Sequence, residues 1–266
     1  MDEKWIPQNN LEELSREFVR LTNGSVIDHS EGFTTTLAPG FFYNRNYIKE
    51  LTVPVADVVN SILEKGKDGM PTLTSFTEDL VPAETKAFFL EKGFVELFVQ
   101  HGMVCHFDDN SDTLFSHKSH SVLQEPDSNI DLLASDEWSQ WTSAMIKGFA
   151  EENKQREDVV FENMIKSPDI CFLGYRHNGK IIGTAMLHYT SGLAGLHEVA
   201  VPREYRRQGV ASKLVARALQ IARDHGAQGM TLQASPKGRL VYQSFGFYDT
   251  GLIHSMYHPD IPFTAD

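Results

Sequence analysis

Apolar residues recur every three or four positions in several stretches of the chain. Short β-branched runs separate those stretches, and glycine or proline punctuates nearly every junction. Leu11, Leu14, Phe18 and Leu21 fall on one side of a predicted helix that Asn23-Gly24 closes. Residues 25–43 alternate and are broken at Glu31-Gly32 and Pro39-Gly40, which predicts short antiparallel strands. Val55, Val58, Val59 and Ile62 predict a helix over 55–63, ended by Gly66 and Gly69, with a strand over 70–76. A helix over 82–91 stops at Gly93, and the apolar run 94–107 reads as a strand. Residues 117–127 are polar and aperiodic and read as a linker.

The second half has its own series. A strand is expected over 129–133, then a helix capped by Ser135 with Asp136 and Glu137 in its first turn and Trp138, Trp141, Met145 and Phe149 in the core. A second helix is expected over 156–165, and a hairpin of 170–175 and 180–189 about His177-Asn178-Gly179. Strand 193–201, helix 210–225 and strand 230–234 follow. Ser235-Pro236 introduces a helix carrying Tyr242, and 251–258 is a closing strand. Strands mixed with helices on both faces make an α/β sandwich around a mixed sheet. The two halves read as one plan used twice, against the plainer reading that common helix-stop glycines recur by coincidence. Helices end at 66–73 and 226–232, matching Gly66 to Gly226 and Gly69 to Gly229, and each is followed by a short helix ending in Gly-Phe, at 93–94 and 246–247.

The stretch Glu198-Val199-Ala200-Val201-Pro202 ends a strand, because proline donates no ladder hydrogen bond. Arg206-Arg207-Gln208-Gly209 is a basic turn, and Val210-Ala211-Ser212 opens a helix whose apolar face holds Leu214, Ala218, Ile221 and Ala222. A helix start presents unpaired N–H groups and a partial positive charge. Gly209 lets a ligand approach the backbone, and the arginines add charge, so the turn suits a diphosphate, against the plainer reading of an ordinary strand-to-helix turn with solvated arginines. Neither the nucleotide P-loop nor the three-glycine dinucleotide fingerprint is matched here.

Arg206-Arg207-Gln208-Gly209-Val210-Ala211 resembles the Arg/Gln-x-x-Gly-x-Gly/Ala signature of the GNAT superfamily of acyl-CoA-dependent N-acetyltransferases. Tyr242-Gln243-Ser244-Phe245-Gly246-Phe247 resembles that family's Tyr-x-x-x-Gly-Phe helix end. The resemblance covers about residues 128–266. It implies a GNAT-type sandwich, with residues 206–212 around the pyrophosphate of acetyl-CoA and the backbone of Val199, Ala200 and Val201 along its pantetheine arm. The doubled plan then implies two tandem GNAT-like domains, 1–120 and 128–266. The first is degenerate: residues 50–55 stand where the phosphate turn should be without its glycine or arginines, and Phe89 stands where Tyr242 does.

Acetyl transfer to an amine needs a neutral amine, a polarised carbonyl and a protonated leaving thiolate. Glu198 is the candidate base, against the plainer reading of a polar residue on an exposed strand face. His197 points to the other face if the strand is regular, and a bulge would spoil that parity. Tyr242 is the candidate acid, carried over from the resemblance, against the plainer reading of a core tyrosine. Ser235 stands where many family members have asparagine. The expected reaction moves an acetyl group from acetyl-CoA to a primary amine of a small molecule, amino acid or peptide by direct attack in a ternary complex. The alternative is a non-catalytic CoA-binding or protein-interaction module.

Charge and cysteine content narrow the partners. The net charge is −12, and residues 1–130 hold 10 basic and 21 acidic side chains, which argues against nucleic acid. The two cysteines, Cys105 and Cys171, suggest no disulfide framework and suit a reducing cytoplasm. No signal peptide, membrane span or metal-binding spacing is read; His117 and His120 lack companion ligands nearby.

Overall fold

The structure is a computed structural model describing residues 3–38, 44–107, 127–149 and 158–261. The linker expected over 117–127 lies outside the described residues except for Asp127. The chain divides into two compact units, Met1–Gly102 with Thr250–Asp266, and Met103–Asp249.

In the first unit, α1 (Ile6–Leu21) precedes β1 (Ser25–His29), β2 (Phe33–Leu37), β3 (Arg45–Ile48), α2 (Val55–Lys67), β4 (Thr74–Thr77) and α3 (Thr85–Glu91). With β11 (Tyr248–Tyr257), the strand order is β1-β2-β3-β4-β11, with β3 and β4 parallel and the other pairs antiparallel. Strand β11 was expected to close the second half, yet Ile253–Met256 pairs with Thr77–Thr74. The compact units meet at 102/103 and at 249/250. Strand partners are chosen by side-chain fit across the ladder, which order along the chain does not reveal. Phe33, Ile48, Val58, Val59, Ile62, Phe76, Phe89, Phe94 and Met256 form this unit's core.

The second unit contains β6 (Ile130–Leu132), α4 (Trp138–Gly148), α5 (Asp158–Met164), β7 (Ile170–His177), β8 (Lys180–Thr190), β9 (Leu193–Ala200), α6 (Val210–Asp224), β10 (Gly229–Ala234) and α7 (Arg239–Gln243). Strand β5 (Val95–His106) ends in it, where the Met103 carbonyl accepts the Thr231 hydroxyl at 3.1 Å. The order β10-β9-β8-β7-β6 is antiparallel except for parallel β10–β9. Both units are thus α/β with a mixed sheet. Leu214, Val215, Ala218 and Leu219 of α6 pack on Ala185, Leu187, Leu196 and Leu232. Each fully buried leucine of this set contributes roughly 1.5–3 kcal/mol.

Helix α4 begins at Trp138, not at a Ser135 cap. The Glu137 carboxylate instead accepts the Ala134 N–H at 3.1 Å and two bonds from Arg176 Nη2 at 2.8 Å. The Ala134 bond, with Arg176 behind it, holds Glu137 below the usual carboxylate range. Trp141 and Met145 are core as expected, with Trp141 Nε1 donating to the Leu173 carbonyl at 2.8 Å, but Phe149 is exposed. Phe149 is the residue that caps the C-terminal end of α4.

The recurring Gly-Phe ends share one physical device. Phe247 N–H donates to the Tyr242 carbonyl and Gly246 N–H to the Gln243 carbonyl, with Gly246 at φ +85°. Phe94 to Phe89 and Gly93 to Leu90 repeat that pattern, with Gly93 at +86°. This is the Schellman helix end, and its hydrophobic contact is an edge-on ring pair, Tyr242–Phe247 in one unit and Phe89–Phe94 in the other. The end of α2 corrects the expected alignment. Gly69, at +89°, matches Gly226, at +82°, whereas Gly66 is inside α2 and Gly229 starts β10.

Candidate active site

The β9–β10 ladder runs from Ala194↔Met230 to Leu196↔Leu232 and ends there. Beyond it β9 keeps register with β8 alone: His197 faces Met186, and Ala200 faces Thr184. Two residues of β9, Glu198 and Val199, therefore oppose Ala185 alone. This is a β-bulge, and Glu198 sits in the left-handed region at φ +53°. The Thr184 hydroxyl fixes it by donating to the Glu198 carbonyl at 2.9 Å. The strand is not regular at 198, so alternation does not decide where Glu198 and His197 point.

After Pro202, one 3-10 turn (Arg203–Tyr205) leads into the basic turn. Arg207 is at φ +64° and Gly209 at +78°. Successive backbone N–H groups in a turn that includes left-handed residues can form an anion-binding concavity. Gly209 caps α6, its carbonyl accepting the first helical bond from Lys213 N–H at 3.0 Å, so Val210, Ala211 and Ser212 are the first-turn donors without helical acceptors. A Cβ built on Gly209 meets nothing within 4 Å. The turn needs glycine there for its conformation, and the space before it is open.

The predicted turn residues play different parts. Arg206 Nε donates to the Val201 carbonyl at 2.9 Å and Nη2 to the Gly148 carbonyl at 2.7 Å. Its guanidinium is thus engaged with backbone, and Val201, expected to face pantetheine, already accepts from it. Arg207 is exposed and forms no ion pair among the described residues. Gln208 Nε2 donates to the Glu204 carbonyl at 3.2 Å. Val210 is buried against the sheet, leaving only its N–H for a ligand, while Ala211 and Ser212 are half-buried. Val199 is half-buried and Ala200 buried.

Tyr242 is in the last turn of α7, the helix after β10, and Glu198 is on the adjacent strand β9. Its ring is half-buried against the α6 core, and burial raises its phenol pKa, keeping the hydroxyl a proton donor at neutral pH. Ser235, at the asparagine position, accepts the Gly238 N–H on its hydroxyl at 3.1 Å. Sequence reasoning undervalued His197. It is buried, its Nε2 has no hydrogen-bond partner among the described residues, and burial followed by the nearby His188 lowers its pKa to about 3. No spacing signal marks Thr184, whose contribution is a contact across strands.

Among the described residues no cluster of three His, Cys, Asp or Glu could hold a metal, and no helix is long and apolar enough to cross a membrane. The model of the acetyltransferase (GNAT) family matches residues 131–247. The chain is 33% identical over 97 residues to N-alpha-acetyltransferase MAK3 of Arabidopsis thaliana, covering 34% of this chain and half the length of that relative (50%). Its fold is similar to the GCN5-related N-acetyltransferase from Kribbella flavida, with TM-score 0.66, 15% identity and coverage of 93% of this chain and 95% of that one. A functionally unknown conserved protein from Staphylococcus epidermidis superposes with TM-score 0.64 at 17% identity, over 89% of this chain and 95% of that one. The basic turn and the bulged end of β9 both lie within residues 131–247, the stretch that matches the acetyltransferase (GNAT) family model.

Proposed function

We propose that the second unit transfers the acetyl group of acetyl-CoA to a primary amine by direct attack in a ternary complex. The observation that carries this is the Arg207–Gly209 turn, with two left-handed residues, an open approach and an α6 start directly after the bulged strand. The diphosphate sits on the N–H groups of 209–212 beside Arg207. The pantetheine runs along Val199–Val201, where β10 has left the ladder.

In the transfer, the amine nitrogen forms a bond to the thioester carbonyl carbon and the carbon–sulfur bond breaks. The amine proton passes to Glu198, directly or through a water, and the Tyr242 hydroxyl protonates the departing thiolate. A backbone N–H of the bulged segment polarises the carbonyl oxygen. The relative named for α-amine acetylation supports a peptide or amino-acid amine among the acceptors. The free thiols of Cys105 and Cys171 suit a cytoplasmic setting. The first unit is a degenerate GNAT-like copy: it repeats the Schellman ends but lacks the glycine–arginine turn, and it binds no CoA. Calorimetric titration of acetyl-CoA into the full chain tests this: one site per chain is expected, and two sites, or none, contradict it.

A further inference from the structure

The second arginine of the turn is explained by charge, but the first is not. Arg206 reaches 58 residues back along the sequence to the last residue of α4. Three other observations converge on that junction. Lys147 pairs with Glu204 at 2.6 Å. A Cβ on Gly148 would stand 2.7 Å from Ala200 Cβ and 2.9 Å from Val201 N, so the end of α4 lies directly against the end of β9. Phe149 N–H closes the last helical turn on the Met145 carbonyl at 3.0 Å.

The two faces of the sheet explain why this junction matters. Ala185 and Leu187 face α6, and a Cβ on Gly183 would strike Val210, so odd positions of β8 belong to that face. Ala200 is opposite Thr184, on the α4 face. Helix α6 covers one face of the strands beside the bulge, and the end of α4 lies against the other.

We propose that Arg206 is a positioning residue that straps the C-terminal turn of α4 and the end of β9 to the phosphate turn, while Arg207 supplies the cation that a diphosphate meets. The guanidinium fork can hold two carbonyls in one plane, and a cation at a helix C-terminus also meets its dipole. An ammonium cannot bridge both carbonyls in that geometry. CoA on the turn therefore steadies the end of α4 through Arg206. This last step rests on the acetyl-CoA reading above; the strap itself does not.

The test is amide hydrogen exchange of residues 146–149 in the full chain, with and without CoA, beside calorimetric CoA affinity at two salt concentrations. In Arg206→Lys, exchange at this turn should rise about tenfold without ligand, the effect of losing a charge-assisted bond. The salt dependence of CoA affinity should stay parental, because the charge on the diphosphate is unchanged. Arg207→Gln should do the reverse, leaving exchange parental while weakening CoA binding and flattening its salt dependence. In the parent, CoA should slow exchange at 146–149. Parental exchange in Arg206→Lys would overturn the strap, as would a flattened salt dependence in that variant. Should Arg206→Lys not fold, the parent decides: CoA bound with no slowing at 146–149 overturns the coupling. A parent that binds no CoA refutes the acetyl-CoA reading and leaves the ligand-free exchange of Arg206→Lys to decide the strap.

Discussion

Gly209→Glu separates two demands that the turn places on one residue. The first is conformational. At φ +78° a residue with a Cβ costs roughly 1–2 kcal/mol, and no neighbour adds a clash because a Cβ meets nothing within 4 Å. Stability should fall by that amount, and Tm by roughly 2–8 °C, for every non-glycine residue tried. The second demand is the ligand's. A carboxylate on a short stem at 209 would stand on the order of 5 Å from a bound diphosphate. At an effective dielectric of about 20, each unit charge then repels it by roughly 3 kcal/mol before salt screening. Even half of that lowers affinity by about tenfold, on top of the loss of space. Gly209→Gln fills the same volume without charge, so the Glu–Gln difference isolates the electrostatic part and should shrink as salt rises. The assay is calorimetric CoA titration of the three proteins at low and physiological ionic strength, with circular dichroism confirming the fold. A folded Gly209→Glu variant with parental CoA affinity would refute the placement of the diphosphate at this turn.

Four further outcomes follow from named residues. Tyr242→Phe should leave stability nearly unchanged, because burial alone perturbs the phenol, and should lower kcat by roughly 10² to 10⁴ with CoA affinity retained; stopped-assay kinetics and CoA titration check it. Glu198→Gln should lower turnover by an amount that shrinks as pH rises toward the amine pKa, since more acceptor is then already neutral; a pH–rate profile reads this, and a pH-independent loss would demote Glu198 to a structural part. His197 has a folded pKa of about 3 against an ordinary value near 6.5, so the unfolded chain binds the extra proton between those values. Stability should therefore fall as pH drops from about 6.5 toward 3, by at most about 1.4 kcal/mol per unit from this group, and His197→Gln should flatten that slope in denaturant titrations. Gly246→Ala should cost roughly 1–2 kcal/mol from the left-handed conformation alone, since its nearest contact is Cys105 Sγ at 3.9 Å. Gly93→Ala should cost more, its Cβ standing 3.1 Å from His258 Nε2.

What the sequence made legible was local. Periodicity placed the α6 core face and the hairpin at Asn178-Gly179, because each depends on residues within one or two turns of the chain. Tyr242, Gly246 and Phe247 were readable as a unit because a Schellman end needs its glycine and its ring partner at fixed offsets. The basic turn was readable for the same reason. Long-range pairing was not readable. Nothing in 248–257 says that Ile253 faces Thr77, and nothing in the arginine pair says which one turns back to Gly148. The bulge at Glu198 depends on Thr184 and on the register of β8, neither of which leaves a mark in the stretch 193–201. The Gly69–Gly229 pairing failed because a helix-stop glycine and a strand glycine look alike until φ is known.

The central claim is that the turn and the bulged strand of the second unit act together in acetyl transfer. Its most direct test gives the full chain acetyl-CoA and a mixed panel of primary amines, and follows free thiol and acetylated amine together. Thiol release should require amine, match acetylated product one for one, and disappear in Gly209→Glu. Release that is independent of amine, or activity that persists in Gly209→Glu, would contradict it.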